Sequence, residues 1–423
     1  MPTSYEYHRI RSTLIDYNPK STDAAKRLSP PCNLSLSFRF APVGIDCYSL
    51  TLSKMPHQIL KSLVAAVSIG SLLVSQHVHS CTGITLKAGD GAVVYGRTME
   101  WGSFDLDSRV VIVPRGLKFT AQTPDKKAGK TWSSIYGVVG LDAVGKDIIA
   151  DGINEKGLTV GQFYHPGSAE YPKYDPALAA ESMSPLDVGL YLLSQCATVD
   201  EARAAMTTVR VVPVAEPAIG FAPPMHYLVT EPGGKAIVVE FFQGEMKIFD
   251  APLGVITNSP GYDWHETNLR NYVNLSPVAI PDKKIGDLDF KPLGGGSGMI
   301  GLPGDNTPPS RFIRAVAATQ TARPTATGDE TIYELFRILD NFNIPLGAAE
   351  GSGEAKTAGM RSSTIWTTGY DTKNRVLYYH TQNNRRVRMV DLKKIDFAKT
   401  GELVRLPLDK QKSQDIEDVT PRK

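Results

Sequence analysis

Short apolar segments separated by turn residues dominate the chain after residue 80. The runs ITLKA and AVVYGRTM flank Gly89–Gly91, and a Gly-Asp-Gly turn between two such runs predicts a β-hairpin. DIIADGINEKGLTVGQFYH predicts two further strands joined by a turn at Asn154–Gly157. The other strand-like segments are RVVIVPRG, HYLVTEPGGKAIVVEFFQ, MKIFDAPLGVITN, SSTIWTTGYD, RVLYYHTQ and RVRMVDL. This pattern predicts a chain rich in antiparallel hairpins.

Helical periodicity, with apolar residues three or four positions apart, marks a second set of segments. These segments are 185–206, 264–275, 310–322 and 330–342. Hairpins outnumber βαβ units, so we expect an α+β fold with antiparallel sheets and helices packed on their outer faces. Neither a repeat nor a linker interrupts the pattern. We therefore expect one domain at 81–410 with a flexible loop at 346–359, and a polar tail at 411–423.

The segment before Cys81 is typical of a secretory signal peptide at 55–80. Lys61 gives a positive first region, residues 62–74 are apolar, and Val78 and Ser80 stand at positions −3 and −1 of the cleavage site. The apolar run is shorter than the roughly 20 residues that a spanning helix needs, and a buried core helix is the alternative. We expect a periplasmic or secreted protein with no stable membrane association after cleavage.

Residues 1–54 precede this complete signal peptide. They are rich in Ser, Pro and Tyr and show no sustained periodicity. One interpretation is that translation starts at Met55 and that residues 1–54 are an artefact of the assigned start. The other is that residues 1–54 are a true, disordered extension. The sequence leaves both interpretations open.

Composition argues against several classes of function. Residues 1–80 hold eight of the 46 Lys/Arg and four of the 44 Asp/Glu, so the remainder has a net charge near −2. No dense Lys/Arg run predicts a nucleic-acid partner. Only Cys81 and Cys196 would survive cleavage, which is too few for a disulfide framework, and no Cys/His spacing predicts a metal site. Cys196 lies on the apolar face of a helical segment and is expected in the core.

Cys81 would become the first residue of the mature chain and would then carry two reactive groups. An α-amine has a pKa of about 7.7–8.0, so at neutral pH it is partly unprotonated and can take the proton of its own thiol. This position predicts an N-terminal nucleophile. Two alternatives are a buried structural cysteine and the lipidated cysteine of an exported lipoprotein or binding protein, in which the thiol would be blocked.

Four segments occur in a fixed order from Cys81 onwards: CTGITLKAGDGAVVYGRTMEWG, ADGINEKGL, GVITNSPGYDWHETNL and LPGDNTPPSRFIRA. Together they resemble the choloylglycine hydrolase family, which contains bile salt hydrolases and penicillin V acylases. The resemblance spans nearly all of the chain after Cys81. It implies a four-layer αββα sandwich of the N-terminal-nucleophile type, hydrolysis of a linear amide carbon–nitrogen bond, no cofactor or metal, and a possible homotetramer.

The resemblance also implies roles for individual residues. Cys81 matches the nucleophile, and Arg97 matches the arginine beside the thiol, whose charge would lower the thiol pKa. Asn258 matches the oxyanion donor, and Arg311 matches a second arginine of the active site. Glu100 stands where the family usually has aspartate, so contact with the nucleophile needs a different rotamer or a shifted backbone. The structural alternatives are a surface ion-pair residue at 97, an exposed strand-end glutamate at 100 and a turn asparagine at 258.

Tyr164 lies ten residues after Asn154 and matches the position whose backbone N–H is the second oxyanion donor. Tyrosine there is typical of penicillin V acylases and asparagine of bile salt hydrolases, whereas LPGDNTPPSRF is closer to the bile-salt form. Gln162 would take this position if the alignment shifted by two residues. We expect a small-molecule amide substrate with an apolar acyl group. Penicillin V, conjugated bile salts and acyl-homoserine lactones all fit that description.

A cysteine–histidine enzyme is the rival mechanism. Four histidines follow Cys81, and they are His165, His226, His265 and His380. None lies in a motif typical of papain-like proteases. We therefore expect these histidines to be structural.

Overall fold

The computed structural model describes residues 81–102, 105–350, 361–399 and 401–421. The expected signal peptide and the segment before it lie outside the described residues, as does part of the expected loop at 346–359. The strands in chain order are β1 (Thr82–Lys87), β2 (Val93–Trp101), β3 (Arg109–Val113), β4 (Lys118–Gln122), β5 (Ala128–Ser133), β6 (Val138–Ala143), β7 (Lys146–Asn154), β8 (Thr159–Tyr164), β9 (Ser182–Met183), β10 (Arg210–Val211), β11 (Met225–Thr230), β12 (Ala236–Phe242), β13 (Glu245–Asp250), β14 (Lys283–Ile285), β15 (Leu288–Phe290), β16 (Ala349–Glu350), β17 (Arg361–Asp371), β18 (Val376–Thr381), β19 (Arg388–Asp391) and β20 (Val404–Pro407).

Helices occupy the stretches between these strands. The α-helices are α1 (Val188–Gln195), α2 (Val199–Met206), α3 (Tyr262–Leu269), α4 (Pro308–Gln320) and α5 (Gly328–Leu339). Short 3₁₀ turns are found at Pro176–Glu181, Pro185–Asp187, Arg270–Tyr272, Ser297–Met299, Asp340–Phe342 and Leu392–Lys394. In the part of the chain that the structure describes, no helix is both long enough and apolar enough to cross a membrane.

Two large antiparallel sheets form the centre of the molecule. The first sheet has the order β1-β2-β17-β18-β19, with β16 on β17, and the second has the order β13-β12-β11-β8-β7-β6-β3-β20. Side chains from both sheets share one core. Asp151 of the second sheet accepts hydrogen bonds from Tyr95 (2.9 Å) and Thr368 (2.6 Å) of the first. These contacts place the sheets face to face.

Helices cover the outer faces of the sheets. Helix α5 packs on β2 and β17 of the first sheet, and α1 packs on β7 and β8 of the second. Helix α5 contacts its sheet through one apolar stripe, as amphipathic helices do, whereas seven of the eight residues of α1 are buried. The expected α+β fold, with layers in the order αββα, is thereby confirmed.

A glycine sets the distance between α5 and the first sheet. A Cβ atom on Gly96 would lie 2.4 Å from the Thr368 carbonyl oxygen and 2.5 Å from Cδ2 of Leu335. Both separations are far below van der Waals contact. The helix therefore approaches β2 closely at the residue next to Arg97.

Two expectations about local structure were wrong. The stretch 185–206 is not one helix, because Cys196 is extended (φ −115°, ψ 142°) and Thr198 starts a new helix by accepting the N–H of Glu201 at 3.2 Å. The strand expected in MKIFDAPLGVITN ends at Asp250. Beyond it, Ile256 exchanges two backbone hydrogen bonds with Gly83, at 2.9 and 3.0 Å. That bridge brings the following residues to the start of β1.

Candidate active site

Cys81 lies immediately before β1 and is 2% exposed. The register of the first hairpin pairs Thr82 with Thr98, so the end of β2 runs beside Cys81. The backbone nitrogen of Cys81 donates to Oδ1 of Asn258 at 2.9 Å. The thiol and the backbone nitrogen of one residue therefore share a single buried site.

Asn258 has an unambiguous side-chain orientation. Its Oδ1 accepts from the Cys81 nitrogen and from Nη2 of Arg311, the latter at 2.7 Å. Its Nδ2 donates to the carbonyl oxygen of Tyr164 at 2.6 Å. An amide nitrogen carries two hydrogens, so one N–H remains for a further acceptor. This second N–H of Asn258 is suited to donate to the oxygen of a substrate carbonyl on which negative charge develops.

Arg311 reaches the same point from the first turn of α4. Its guanidinium is buried, donates to Thr82 Oγ1 at 2.9 Å and also bonds the Cys81 carbonyl. Nε bonds the carbonyl of Asn306 at 2.9 Å. Burial lowers the pKa of Arg311 to about 10, so the side chain stays charged at neutral pH. A cation in this first turn gains nothing from the helix dipole, and its partners are instead those of the site.

Arg97 is held inside the molecule by aromatic rings. Its guanidinium carbon lies 4.1 Å from the centroid of Phe163 and 5.5 Å from that of Trp366. It bonds the carbonyl of Thr98 at 3.2 Å and also that of Gln162. The surface ion pair considered as an alternative for Arg97 is excluded by this burial.

The thiol of Cys81 is not a preformed thiolate. Burial raises its pKa above the ordinary value, while the charges of Arg97 and Arg311 act in the lowering direction and Glu100 in the raising direction. Arg97 therefore acts as expected, but desolvation is the larger effect. A base beside the thiol is consequently needed to generate the nucleophile.

Glu100 lies beside the nucleophile and is 1% exposed. Oε1 accepts from Thr364 Oγ1 at 2.6 Å, whereas Oε2 has no hydrogen-bond partner among the described residues. Burial raises the pKa of Glu100 to about 7, against the opposing effects of the Thr364 hydrogen bond and the charge of Arg311. The extra methylene is thus accommodated, and the carboxyl titrates near neutral pH.

Tyr164 meets Asn258 through its carbonyl oxygen, and its side chain turns into a cavity. The ring forms a T-shaped pair with Trp101, with centroids 6.3 Å apart. The cavity lies next to Cys81 and opens to solvent, and the space unoccupied by atoms within it and its mouth together is about 640 Å³. Its lining includes Met99, Trp101, Leu106, Ala143, Val144, Ile148, Ala150, Gln162, Leu186, Ile219, Pro223 and Met225. An apolar group attached to a scissile bond at Cys81 would fit this space.

All six residues singled out in the sequence thus meet around Cys81 and its cavity, while several of their partners were not anticipated. Thr364 and Gln162 contact Glu100 and Arg97, and three of the four histidines surround the backbone of Asn258. Except for His265, which lies seven residues after Asn258 in the segment GVITNSPGYDWHETNL, these partners are far apart from the residues they contact along the chain. Most bind through main-chain carbonyls, so the sequence does not show which side chains meet.

Comparisons with known proteins agree with this geometry. The family model of linear amide C–N hydrolases, choloylglycine hydrolase family, matches residues 81–406. A bile salt hydrolase/transferase of Clostridium perfringens is 31% identical over 320 residues, which cover 74% of this chain and 93% of that protein. A penicillin V acylase of Pectobacterium atrosepticum is 26% identical over 364 residues, covering 81% and 89%.

A solved structure supports the same assignment. The conjugated bile acid hydrolase of Clostridium perfringens superposes with a TM-score of 0.70 at 28% identity, covering 80% of this chain and 99% of that one. The resemblance seen in the sequence motifs is therefore confirmed over most of the chain. The protein belongs to the choloylglycine hydrolase family and is a linear amide C–N hydrolase.

Proposed function

We propose that the protein is an exported amidase that cleaves amides of the penicillin V or conjugated bile salt type through a thioester on Cys81. The observation that carries this proposal is the shared position of the Cys81 nitrogen and thiol at the end of an apolar cavity, with Asn258 bonded to that nitrogen. Release of residues 1–80 would turn this backbone nitrogen into a free amine. The amine would then already be in place as the base.

The reaction follows from these positions. The Cys81 amine takes the thiol proton, and the thiolate attacks the substrate carbonyl. The free N–H of Asn258 and the backbone N–H of Tyr164 stabilise the oxyanion. When the intermediate collapses, the carbon–nitrogen bond breaks and the ammonium of Cys81 protonates the leaving amine. Water then attacks the thioester with the amine again as base, releasing the carboxylic acid and the thiol.

The neighbouring charged groups support these steps in different ways. Arg97 and Arg311 favour the thiolate, because both lower the Cys81 pKa. Arg311 also fixes the carbonyl of Cys81 and the Oδ1 of Asn258. Ionised Glu100 would favour the ammonium form of the Cys81 amine, which is the form that protonates the leaving group.

The shape of the cavity supports an apolar acyl group as the part of the substrate that is held. Tyr164 and Trp101 form an aromatic wall suited to an aryl acyl group such as that of penicillin V. The relatives include a bile salt hydrolase/transferase and a penicillin V acylase, and conjugated bile salts and penicillin V both present an amide next to an apolar acyl group. Acyl-homoserine lactones also carry an amide next to an apolar acyl group, so they are included among the test substrates.

The experiment is amine release from penicillin V, glycocholate and an acyl-homoserine lactone, together with intact mass after rapid acid quenching. Cleavage of one substrate and a mass increase equal to its acyl group on Cys81 are expected. A chain that leaves all three intact and forms no adduct would instead support the binding-protein alternative, in which a lipid on Cys81 accounts for the blocked thiol.

Two further features belong to this proposal. A periplasmic or secreted location is supported by the signal-like residues 55–80. Self-association, with a homotetramer as the expected form, is supported by exposed apolar side chains around the β14–β15 hairpin. They include Val273, Val278, Ile285, Leu288, Phe290 and Leu293. Light scattering of the purified protein tests the oligomeric state.

A further inference from the structure

The backbone that carries Asn258 is held by three buried histidines. Each places Nε2 against a different carbonyl oxygen of residues 257–260. The contacts are His226 to Thr257 at 3.2 Å, His265 to Asn258 at 2.9 Å and His165 to Pro260 at 3.3 Å. Because a carbonyl only accepts, each Nε2 must carry a hydrogen. The three rings therefore act as donors to one loop.

These histidines come from three different parts of the fold. His165 follows β8, His226 lies within β11 and His265 lies in α3. All three are 2% exposed or less, so water cannot replace a lost contact without opening the core. The loop at 257–260 is thus fixed against both the second sheet and a helix.

Glu240 of β12 completes the cluster. Its Oε1 lies 2.9 Å from Nδ1 of His226, and its Oε2 accepts the N–H of Tyr262 at 3.0 Å. His226 therefore faces an oxygen at both ring nitrogens, although a neutral imidazole has only one N–H. The pair of Glu240 and His226 must hold one proton more than a carboxylate and a neutral histidine would.

Burial indicates where that proton rests. It lowers the pKa of His226 to about 3 and raises the pKa of Glu240. Both directions favour a neutral pair, in which the carboxyl group holds the proton and donates to Nδ1 of His226. The titratable and charged groups that face the pair are His165, His265 and Asp263 around Glu240, and His265 and Arg97 around His226.

A metal ion is the alternative use of such a cluster. One ligand atom from each of His165, His226 and Glu240 lies within 4.8 Å of the others. However, the two rings stack in parallel, 4.1 Å apart with a 4° interplanar angle. A histidine binds a metal through a lone pair in the ring plane, and two stacked rings cannot aim such lone pairs at one ion. The geometry serves hydrogen bonding instead.

We propose that His165, His226 and His265, with a protonated Glu240, are positioning residues that hold the Asn258 carboxamide in the geometry needed for oxyanion stabilisation. They touch no reacting atom and act through the main chain of residues 257–260. The inference rests on the proposed function, in which Asn258 is the oxyanion donor. If the shared proton is lost, Oε1 of Glu240 and Nδ1 of His226 face each other as two acceptors with no hydrogen between them. Their repulsion would loosen the loop at 257–260.

A comparison of Glu240→Gln with Glu240→Leu separates the effect of the hydrogen bonds from the effect of side-chain volume. A glutamine amide donates to His226 and accepts from Tyr262, as the protonated acid does, but it cannot titrate. We expect Glu240→Gln to keep kcat within about threefold of wild type, and Glu240→Leu to lower kcat roughly 10²-fold with KM within about threefold. The control is His380→Leu, a buried histidine remote from this loop, which should leave both parameters unchanged.

The pH profile gives a readout that a purely structural role would not move. In the wild type, kcat should fall as pH rises through the raised pKa of Glu240, because the shared proton is present below that pKa and lost above it. Glu240→Gln should lack this fall. If the glutamine variant loses as much kcat as the leucine variant, the proposal of a shared proton is wrong. If the leucine variant keeps the wild-type kcat, the proposed positioning role is wrong.

Two further measurements keep the test independent of folding and of substrate choice. If Glu240→Leu does not fold, His265→Leu and His265→Gln form the same kind of pair, since only glutamine can donate to the Asn258 carbonyl. If the wild type cleaves no amide, the proposed function fails by itself. Crystal structures then decide the inference: the Asn258 carboxamide should move in Glu240→Leu and stay in Glu240→Gln, and an unmoved carboxamide in both contradicts it.

Discussion

At the scale of single residues, Cys81 combines a nucleophile with its base. Cys81→Ala keeps the amine and removes the thiol, so the fold should persist while amine release falls roughly 10³-fold or more. Cys81→Ser should also lose most activity, because a hydroxyl is far less acidic than a thiol. Thermal melts of both variants control for folding. Full activity in Cys81→Ala would end the account of a thioester intermediate.

Asn258 tests the oxyanion role. Asn258→Asp keeps an oxygen for Arg311 and for the Cys81 nitrogen but removes the donor hydrogens. We expect kcat to fall about 10²–10³-fold, the usual effect of losing one such donor, with a smaller change in KM. Steady-state kinetics on the substrate identified above provide the measurement. A wild-type kcat in this variant would show that another group stabilises the oxyanion.

Glu100 makes the stability of the protein depend on pH. Its pKa is raised from 4.5 to about 7 in the folded state, so its favourable contribution is complete below about pH 4.5 and is lost as pH rises to about 7. The side chain of Glu100→Gln does not titrate, so the variant does not lose stability in this way as the pH rises. Relative to wild type, the variant should gain up to about 3 kcal/mol in the free energy of unfolding between these two pH values.

Urea unfolding at pH 4.5 and pH 8 measures this difference, and any pH-independent effect of the amide cancels between the two. Glu245→Gln is the matched control, because Glu245 is exposed on β13. Glu245→Gln should change the free energy of unfolding by the same amount at both pH values. A pH-independent effect of Glu100→Gln would mean that the carboxyl does not titrate in this range.

At the scale of elements, the contact of α5 with the first sheet holds β2, and with it Arg97, in place. Gly96→Ala would force a Cβ against Leu335 and the Thr368 carbonyl. We expect a loss of about 1–3 kcal/mol in unfolding free energy, typical of overpacking, measured by urea unfolding. Gly295→Ala is the control, since a Cβ there meets nothing within 4 Å, and equal stability of both variants would contradict the close approach.

The elements that were predictable from sequence carry their signal locally. The β1–β2 hairpin follows from its Gly-Asp-Gly turn, and α4 and α5 follow from their periodicity. The break between α1 and α2 lacks a glycine or proline at 196–198. Its local signal is the pair Thr198 and Glu201, three residues apart, which is the spacing of a helix N-cap and which apolar periodicity alone does not reveal. The six site residues were found through motif resemblance. The contacts of the histidines around Asn258 were not, although His265 lies in the segment GVITNSPGYDWHETNL, because their partners are main-chain carbonyls and a motif does not show which side chain reaches them.

At the scale of the whole molecule, the proposed mechanism requires a chain that begins at Cys81. The buried thiol has a raised pKa, so the site needs a base, and the nitrogen beside it can act as one only when no residue precedes it. Expression from Met55 in an exporting host should therefore yield a protein whose intact mass and N-terminal sequence begin at an unmodified Cys81. A lipid on Cys81, or a chain that begins upstream, would contradict this maturation.

The most direct measurement compares amine release by two chains whose masses are verified, one beginning at Cys81 and one retaining Ser80 before it. The two proteins differ by a single residue and share every side chain of the site. We expect the first chain to be active and the second to lose activity roughly 10²-fold or more, because its Cys81 nitrogen is an amide and cannot accept the thiol proton. Equal activity of the two chains would contradict the proposed mechanism and place the base elsewhere.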